Sequence, residues 1–160
     1  MGRELVPEDT AKDRWVILDP NLIYDEHITK TASSRRSRLS QISRTKHVLD
    51  KSTLLTIINA LVFTKFFYCS NVWANKSQRS INKLQAIQNF AARIVTSTRK
   101  YDHIMLLLNE LTWLPVATQL YLRTATIALK CLTGRVTCYL SSEFINRVEI
   151  TGRINRNAQS

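Results

Sequence analysis

Glycine and proline are scarce, at three of each in 160 residues. Three glycines cannot furnish a Gly-rich loop whose backbone N–H groups cradle phosphates. So few breaks, in a chain with long apolar-periodic runs, favour helices. Cysteine is also sparse. Cys69, Cys131 and Cys138 are odd in number and widely spaced, the pattern of reduced, intracellular thiols rather than a disulfide framework. The first residues are acidic and lack the apolar stretch of a secretory signal, so no glycan is expected at the sequon Asn75-Lys76-Ser77. The most apolar stretch, Leu54 to Cys69, is broken by Asn59 and Lys65 and is short for a membrane span. It reads as a buried core helix, with no membrane partner.

Acids are few as well: 12 Asp and Glu against 23 Lys and Arg, a net charge of +11. The imbalance is uneven. Residues 1–26 hold three basic and seven acidic side chains, whereas residues 27–160 hold 20 basic and five acidic ones. A body with that excess calls for a polyanion or an acidic partner more than for self-association. With 44% hydrophobic residues, the chain can still bury a core, which excludes wholesale disorder.

The pattern predicts a mainly α fold: a bundle of about five helices with a small N-terminal β-hairpin. Residues 1–24 are expected to form the hairpin, residues 25–145 the helical domain and residues 146–160 a flexible basic tail. Glu4-Leu5-Val6 and Trp15-Val16-Ile17-Leu18 are the candidate strands, joined by Pro7 to Lys12 and closed by Asp19-Pro20-Asn21. The first helix runs from about Glu26 to Lys46 behind Asp25 as cap, with Ile28, Ala32, Leu39 and Ile42 in one stripe. The second starts after Asp50, runs to about Tyr68 and is apolar nearly all round, as at the centre of a bundle. The third spans about Ser77 to Val95. It buries Ile81, Leu84, Ile87, Ala91, Ile94 and Val95 and leaves a short polar stripe of Asn82, Ala86, Asn89 and Arg93. A short helix from about Ile104 to Leu111 precedes another that Pro115 opens and Gly134 stops. Tyr139 to Ile145 is a candidate for one more.

The basic and amide side chains are the best functional signal. Arg36, Arg38 and Arg44 on the first helix are candidate phosphate contacts, set against a merely solvated face. On the third helix Asn82, Asn89 and Arg93, flanked by Arg79 and Gln85, offer amides and a cation on a surface short enough for a duplex to approach. Trp73, Trp113 and Tyr139 could stack on bases. Core packing is the better reading for Trp113, and stacking is more open for Trp73, which sits between Asn71 and Asn75. The acidic pairs Glu8-Asp9 and Asp25-Glu26 read as solvated or capping, not as ligands of paired metals. Cys131, Cys138 and His103 lack zinc-knuckle spacing and a fourth ligand, and no Ser–His or Cys–His pattern suggests nucleophilic catalysis.

Three segments resemble the reverse transcriptases of non-LTR (LINE-type) retrotransposons. Lys12-Asp13-Arg14-Trp15-Val16-Ile17-Leu18-Asp19, followed by Asn21-Leu22 and His27-Ile28, is similar to the family's primer-grip strand, Lys-x-Leu-Gly-Val-x-Leu-Asp. Arg14-Trp15 stands where that pattern has Leu-Gly. Leu61 to Arg93, with Tyr68, Trp73, Leu84 and the run Gln88-Asn89-Phe90-Ala91-Ala92-Arg93, is similar to the first thumb helices. Leu107 to Leu140 resembles the part that follows, around Glu110, Leu111, Trp113, Leu114, Pro115, Val116 and Tyr139-Leu140. The resemblance spans about residues 5 to 150 and implies a thumb-like grip on an RNA–DNA hybrid or RNA, beside the palm and fingers of the parent polymerase. The catalytic Asp residues of that polymerase have no counterpart here. The expectation is therefore a fragment inactive alone, with no cofactor of its own, the Mg²⁺ belonging to the parent enzyme. Two alternatives stand beside it: a basic helical module that binds an acidic protein, and a transposon remnant without function.

Overall fold

The computed structural model describes residues 11–73, 77–99 and 101–142. Its element order is mainly helical behind a two-stranded hairpin, β1 (Ala11–Asp13) and β2 (Val16–Leu18). The strands pair antiparallel with Ala11 opposite Leu18 and Asp13 opposite Val16. This corrects the expected pairing. Ala11 and Lys12 are strand rather than connector, Trp15 belongs to the turn, and Glu4–Val6 lies outside the described residues. The left-handed residue of the two-residue turn is Arg14, at φ 49, so the bulky Trp15 is not forced into that region. Its exposed ring lies under the Lys65 ammonium, 4.0 Å from the ring centroid, a cation–π contact.

Asp19 ends β2 and organises the approach to α1 (Asp25–Thr45). Its carboxylate accepts from the backbone N–H groups of Asn21, Ile23 and Tyr24. The Ile23 and Tyr24 donors in particular hold its pKa below the usual carboxylate value. Tyr24, the residue before α1, is left-handed at φ 59. Asp25 is therefore the first helical residue and not the expected cap. Its carboxylate instead accepts from Ser80 Oγ at 2.6 Å. The buried His27 ties α1 to the hairpin by accepting the Ile17 N–H at Nδ1, 3.3 Å away. Burial lowers its pKa below 6.5, which keeps the accepting nitrogen free of a proton.

The second helical segment begins as expected at Asp50, which accepts from the N–H groups of Ser52 and Thr53. Hydrogen bonds from the Ser52 and Thr53 hydroxyls, added to those N–H groups, lower its pKa further. The segment is not one regular helix. It comprises α2 (Lys51–Ile58), a π-helical turn (Asn59–Phe63) and α3 (Thr64–Phe66). Its buried residues Leu54, Ile58, Val62 and Phe66 recur every fourth position. In a regular α-helix that spacing drifts about 40° per step, and the wider π turn takes drift back, so one face stays on the core. The turn is closed by Thr64 N–H on the Asn59 carbonyl, and Arg35 Nη1 donates to Leu61 O at 2.9 Å. Leu61 itself is 50% exposed, so the segment packs by one face and is not surrounded, contrary to its apolar sequence. Seven residues after Ile28, Arg35 sits at an angular position within the apolar stripe of α1 and supports the π turn. Burial, then the nearby Arg38, lowers its pKa.

After the short α4 (Ser70–Trp73), Ser77 caps α5 (Gln78–Thr96). Helices α1 and α5 lie side by side in the same chain direction: Asp25 meets Ser80, and Thr29 accepts from Lys83 Nζ at 2.8 Å. Ile28, Leu39 and Ile42 of α1 and Leu84, Ile87, Ala91, Ala92 and Val95 of α5 join the face of α2 and the π turn in one core. Helix α6 (Ile104–Glu110) adds Leu107 and Leu108. It ends with Trp113 N–H on Leu108 O and Thr112 N–H on Asn109 O, a Schellman motif whose left-handed position is Thr112 at φ 54. The Trp113 ring then meets Phe63 edge-on at 4.9 Å.

Side-chain amides from α5 hold the junction that follows. Gln85 Oε1 accepts from the Val116 N–H at 2.9 Å, and the buried Gln88 donates to Leu114 O at 2.8 Å. Val116 opens α7 (Val116–Leu132), so Gln85 satisfies one of the N–H groups that a helix start leaves unpaired. Contacts divide the chain into residues 1–120 and residues 121–160. Within the second unit, α7 ends in a Schellman turn at Gly134, φ 65, and α8 (Cys138–Ser142) follows. The expected tail of residues 146–160 lies outside the described residues.

Three outcomes are expected. Gln88→Leu removes one donor from Leu114 O, which keeps Gln119 Nε2, and one acceptor from Gln85, which keeps Asn89, and should cost roughly 0.5–1.5 kcal/mol in urea unfolding. Thr112→Gly should instead stabilise the chain by about 0.5–1 kcal/mol, since relief of a left-handed β-branched residue outweighs the entropy of glycine. The depressed pKa of His27 fixes the sign of a pH effect: stability is full above 6.5 and falls as acid protonates the buried ring. The unfolding midpoint of the native chain should therefore drop below that pH more steeply than that of His27→Gln.

Candidate nucleic-acid interface

Between α1 and α5 the surface forms a groove. Its first part is lined by Thr29, Ala32, Ser33 and Arg36 from α1 and by Lys83, Ala86 and Ile87 from α5. Arg36 and Ala86 also line the second part, which continues to Ser43 and Lys46 on one side and to Asn89, Phe90, Arg93 and Ile94 on the other. That second part is a cavity of about 580 Å³. The groove exists because small residues sit at its floor: Ala32, Ser33 and Ala86 leave room that larger side chains would fill. Four basic side chains line it (Arg36, Lys46, Lys83 and Arg93), and no described lining residue is acidic.

The spacing of these cations follows from helix geometry. Arg36 on α1 and Lys46, the cap residue just past its end, lie ten residues apart, as do Lys83 and Arg93 on α5, about 15 Å in each case at 1.5 Å per residue. That run matches about four to five nucleotides of a strand rising 3.4 Å each. Because α1 and α5 run in the same direction, their C-terminal ends lie together near Lys46 and Arg93. The partial charges there amount to about half a negative charge per helix. They do not cancel the formal charges of Arg36, Lys46 and Arg93.

The expected site residues separate into groups. Arg36, Asn89 and Arg93 come together in the groove. Arg38 and Arg44 are exposed on α1 but do not line it, and Arg38 donates to Gln41. Arg79 and Asn82 are exposed in the first turns of α5, where Asn82 accepts from Gln78. Gln85 lies outside the exposed stripe: its amide joins Val116, Gln88 and Asn89. Lys46, Lys83 and Phe90 are groove residues that the sequence reading did not single out. Their positions, at helical spacing from Arg36, Asn89 and Arg93, become meaningful once α1 and α5 are known to be neighbours.

Trp73 is corrected from a loop residue open to stacking. It is 2% exposed, donates from Nε1 to Tyr68 O and faces His27. Among the described residues no three His, Cys, Asp or Glu side chains converge as metal ligands. No described helix is long and apolar enough to cross a membrane.

Over 95 residues, 57% of its length, the chain is 28% identical to the protein described as "Probable RNA-directed DNA polymerase from transposon X-element" of Drosophila melanogaster. The matched chain spans 10% of that protein's length. No protein-family model and no solved structure matches the chain. The similarity supports a region related to a transposon reverse transcriptase.

Proposed function

We propose that this chain is a thumb-like part of a non-LTR retrotransposon reverse transcriptase and that it holds nucleic acid through the groove between α1 and α5. The observation that carries this reading is the lining itself: four basic side chains in two ten-residue spacings, with no acid among the described lining residues. Side chains of this kind contact phosphates, which position a nucleic acid without reading its sequence. The small floor residues let a backbone approach, and the excess of positive charge favours release of counterions on binding. An RNA–DNA hybrid or structured RNA is the ligand class that the similarity to an RNA-directed DNA polymerase favours.

Polymerisation needs carboxylates that clamp two divalent ions. The described residues bring no such cluster together. The role of this chain is to grip and orient the duplex, with chemistry assigned to the palm of the parent polymerase. The competing reading is an acidic protein in the same groove. Equal displacement of a bound hybrid by polyglutamate and by RNA of the same charge would favour it.

Fluorescence anisotropy with a labelled RNA–DNA hybrid tests the proposal. If all four groove cations meet phosphates, log K should fall against log salt with a slope of about −3.6, and the Arg36→Gln/Lys83→Gln variant should show about −1.8. Absence of binding at low salt, or a slope untouched by that variant, would remove the groove from the function.

A further inference from the structure

We infer that the wide end of the groove, beside Asn89, Phe90 and Arg93, is a pocket for one unpaired nucleotide. The inference rests on the reading of the groove as a nucleic-acid track and adds what a backbone track alone does not require. Phosphate contacts need cations at a surface. This end of the groove is a cavity of about 580 Å³, within the range of small-molecule sites, and Phe90 and Ile94 give it apolar surface. Phe90 is only partly buried, so part of its ring is free for a flat ligand ring.

A chain of hydrogen bonds fixes which group of Asn89 is left as a donor. The Val116 N–H can only donate, so Gln85 presents its oxygen to it at 2.9 Å. The Gln85 amide nitrogen must then donate, and it does so to Gln88 Oε1 and Asn89 Oδ1 at 2.9 and 2.8 Å. Gln88 closes the chain by donating to Leu114 O, a group that can only accept. The orientation of Asn89 is thereby fixed: its oxygen faces Gln85, and its NH₂ group has no acceptor among the described residues. Arg93 also lines the cavity, and its guanidinium can only donate. Arg36 and Lys46 add donors only.

A ring surface beside the Asn89 amide donor, with cations for an anion and the Ser43 and Thr98 hydroxyls as further polar groups, matches a nucleotide. The base would lie on Phe90, an acceptor on its edge (a pyrimidine O2, a purine N3 or N7) would meet Asn89, and the phosphate would meet Arg93 or Lys46. All four bases carry such acceptors, so the pocket should tolerate any sequence. A base within a duplex is stacked and paired and cannot enter. The occupant is therefore a nucleotide at an unpaired end, bulge or junction of the bound nucleic acid.

The test compares three hybrids of identical duplex sequence: one blunt, one with a single unpaired nucleotide at one end, and one with an abasic residue in that place. On the full chain, the unpaired nucleotide should tighten binding about tenfold over the blunt hybrid, and the abasic residue should not. The advantage should persist as salt rises, unlike the backbone contribution. Phe90→Leu, which keeps apolar bulk, should abolish it. Asn89→Ser, at a position outside the core, should reduce it several-fold even if Phe90→Leu does not fold. Equal binding of blunt and extended hybrids, or of abasic and base-bearing ends, would overturn the pocket while leaving the groove reading intact. If none of the three binds at low salt, the groove reading fails and the pocket fails with it.

Discussion

The side-by-side, same-direction packing of α1 and α5 is the constraint on which the rest of the structure depends. It brings together side chains 47 to 57 positions apart, such as Lys46 with Arg93 and Arg36 with Lys83, along one groove. It also aligns two helix dipoles and gathers four cations along one groove, arrangements that repel. Burial of Leu39, Ile42, Ile87, Ala91 and Ala92 beneath the groove holds the helices together against that repulsion. A polyanion bound in the groove would relieve it.

The same two helices are tied into the molecule by polar contacts that sort its surfaces. Asp25 and Ser80 fix their N-terminal ends together, His27 attaches the hairpin, and Arg35 supports the π turn at Leu61. On the far side of α5, Gln85 and Gln88 satisfy the backbone of Leu114 and Val116, where a proline-containing junction leaves groups without helical partners. These bonds do more than hold the junction. They set the polarity of Asn89, so that a structural network on one side of a helix decides what its other side can offer a ligand.

Much of the fold was legible because its signals are local. Asp50 and Ser77 cap helices as their types predict, Gly134 stops α7, and the stripes of α1 and, apart from the half-buried Ile81, of α5 are those that the periodicity marks. Where the sequence misled, a distant partner had overridden a local preference. Asp25 is drawn to Ser80, leaving Tyr24 in a left-handed turn beneath the Asp19 carboxylate. Trp73, flanked by polar residues, is folded into the core because a short helix turns it inward and Tyr68 O accepts its N–H. The apolar second segment packs by one face only, since its π turn keeps every fourth residue on the core and leaves Leu61 outside.

The sequence by itself determined that the chain is helical, strongly basic over most of its length and poor in clustered catalytic carboxylates. It also pointed to Asn89 and Arg93 as residues of interest. Composition and periodicity act through near neighbours and bulk charge, which no tertiary contact alters. Only the tertiary structure decided which of the basic residues line one groove. Arg38, Arg44 and Arg79 are as basic as Arg36 and Arg93, yet they lie off the groove. Membership depends on which helices become neighbours and in which direction they run, and that is set by the burial of their apolar faces, not by the charges they carry.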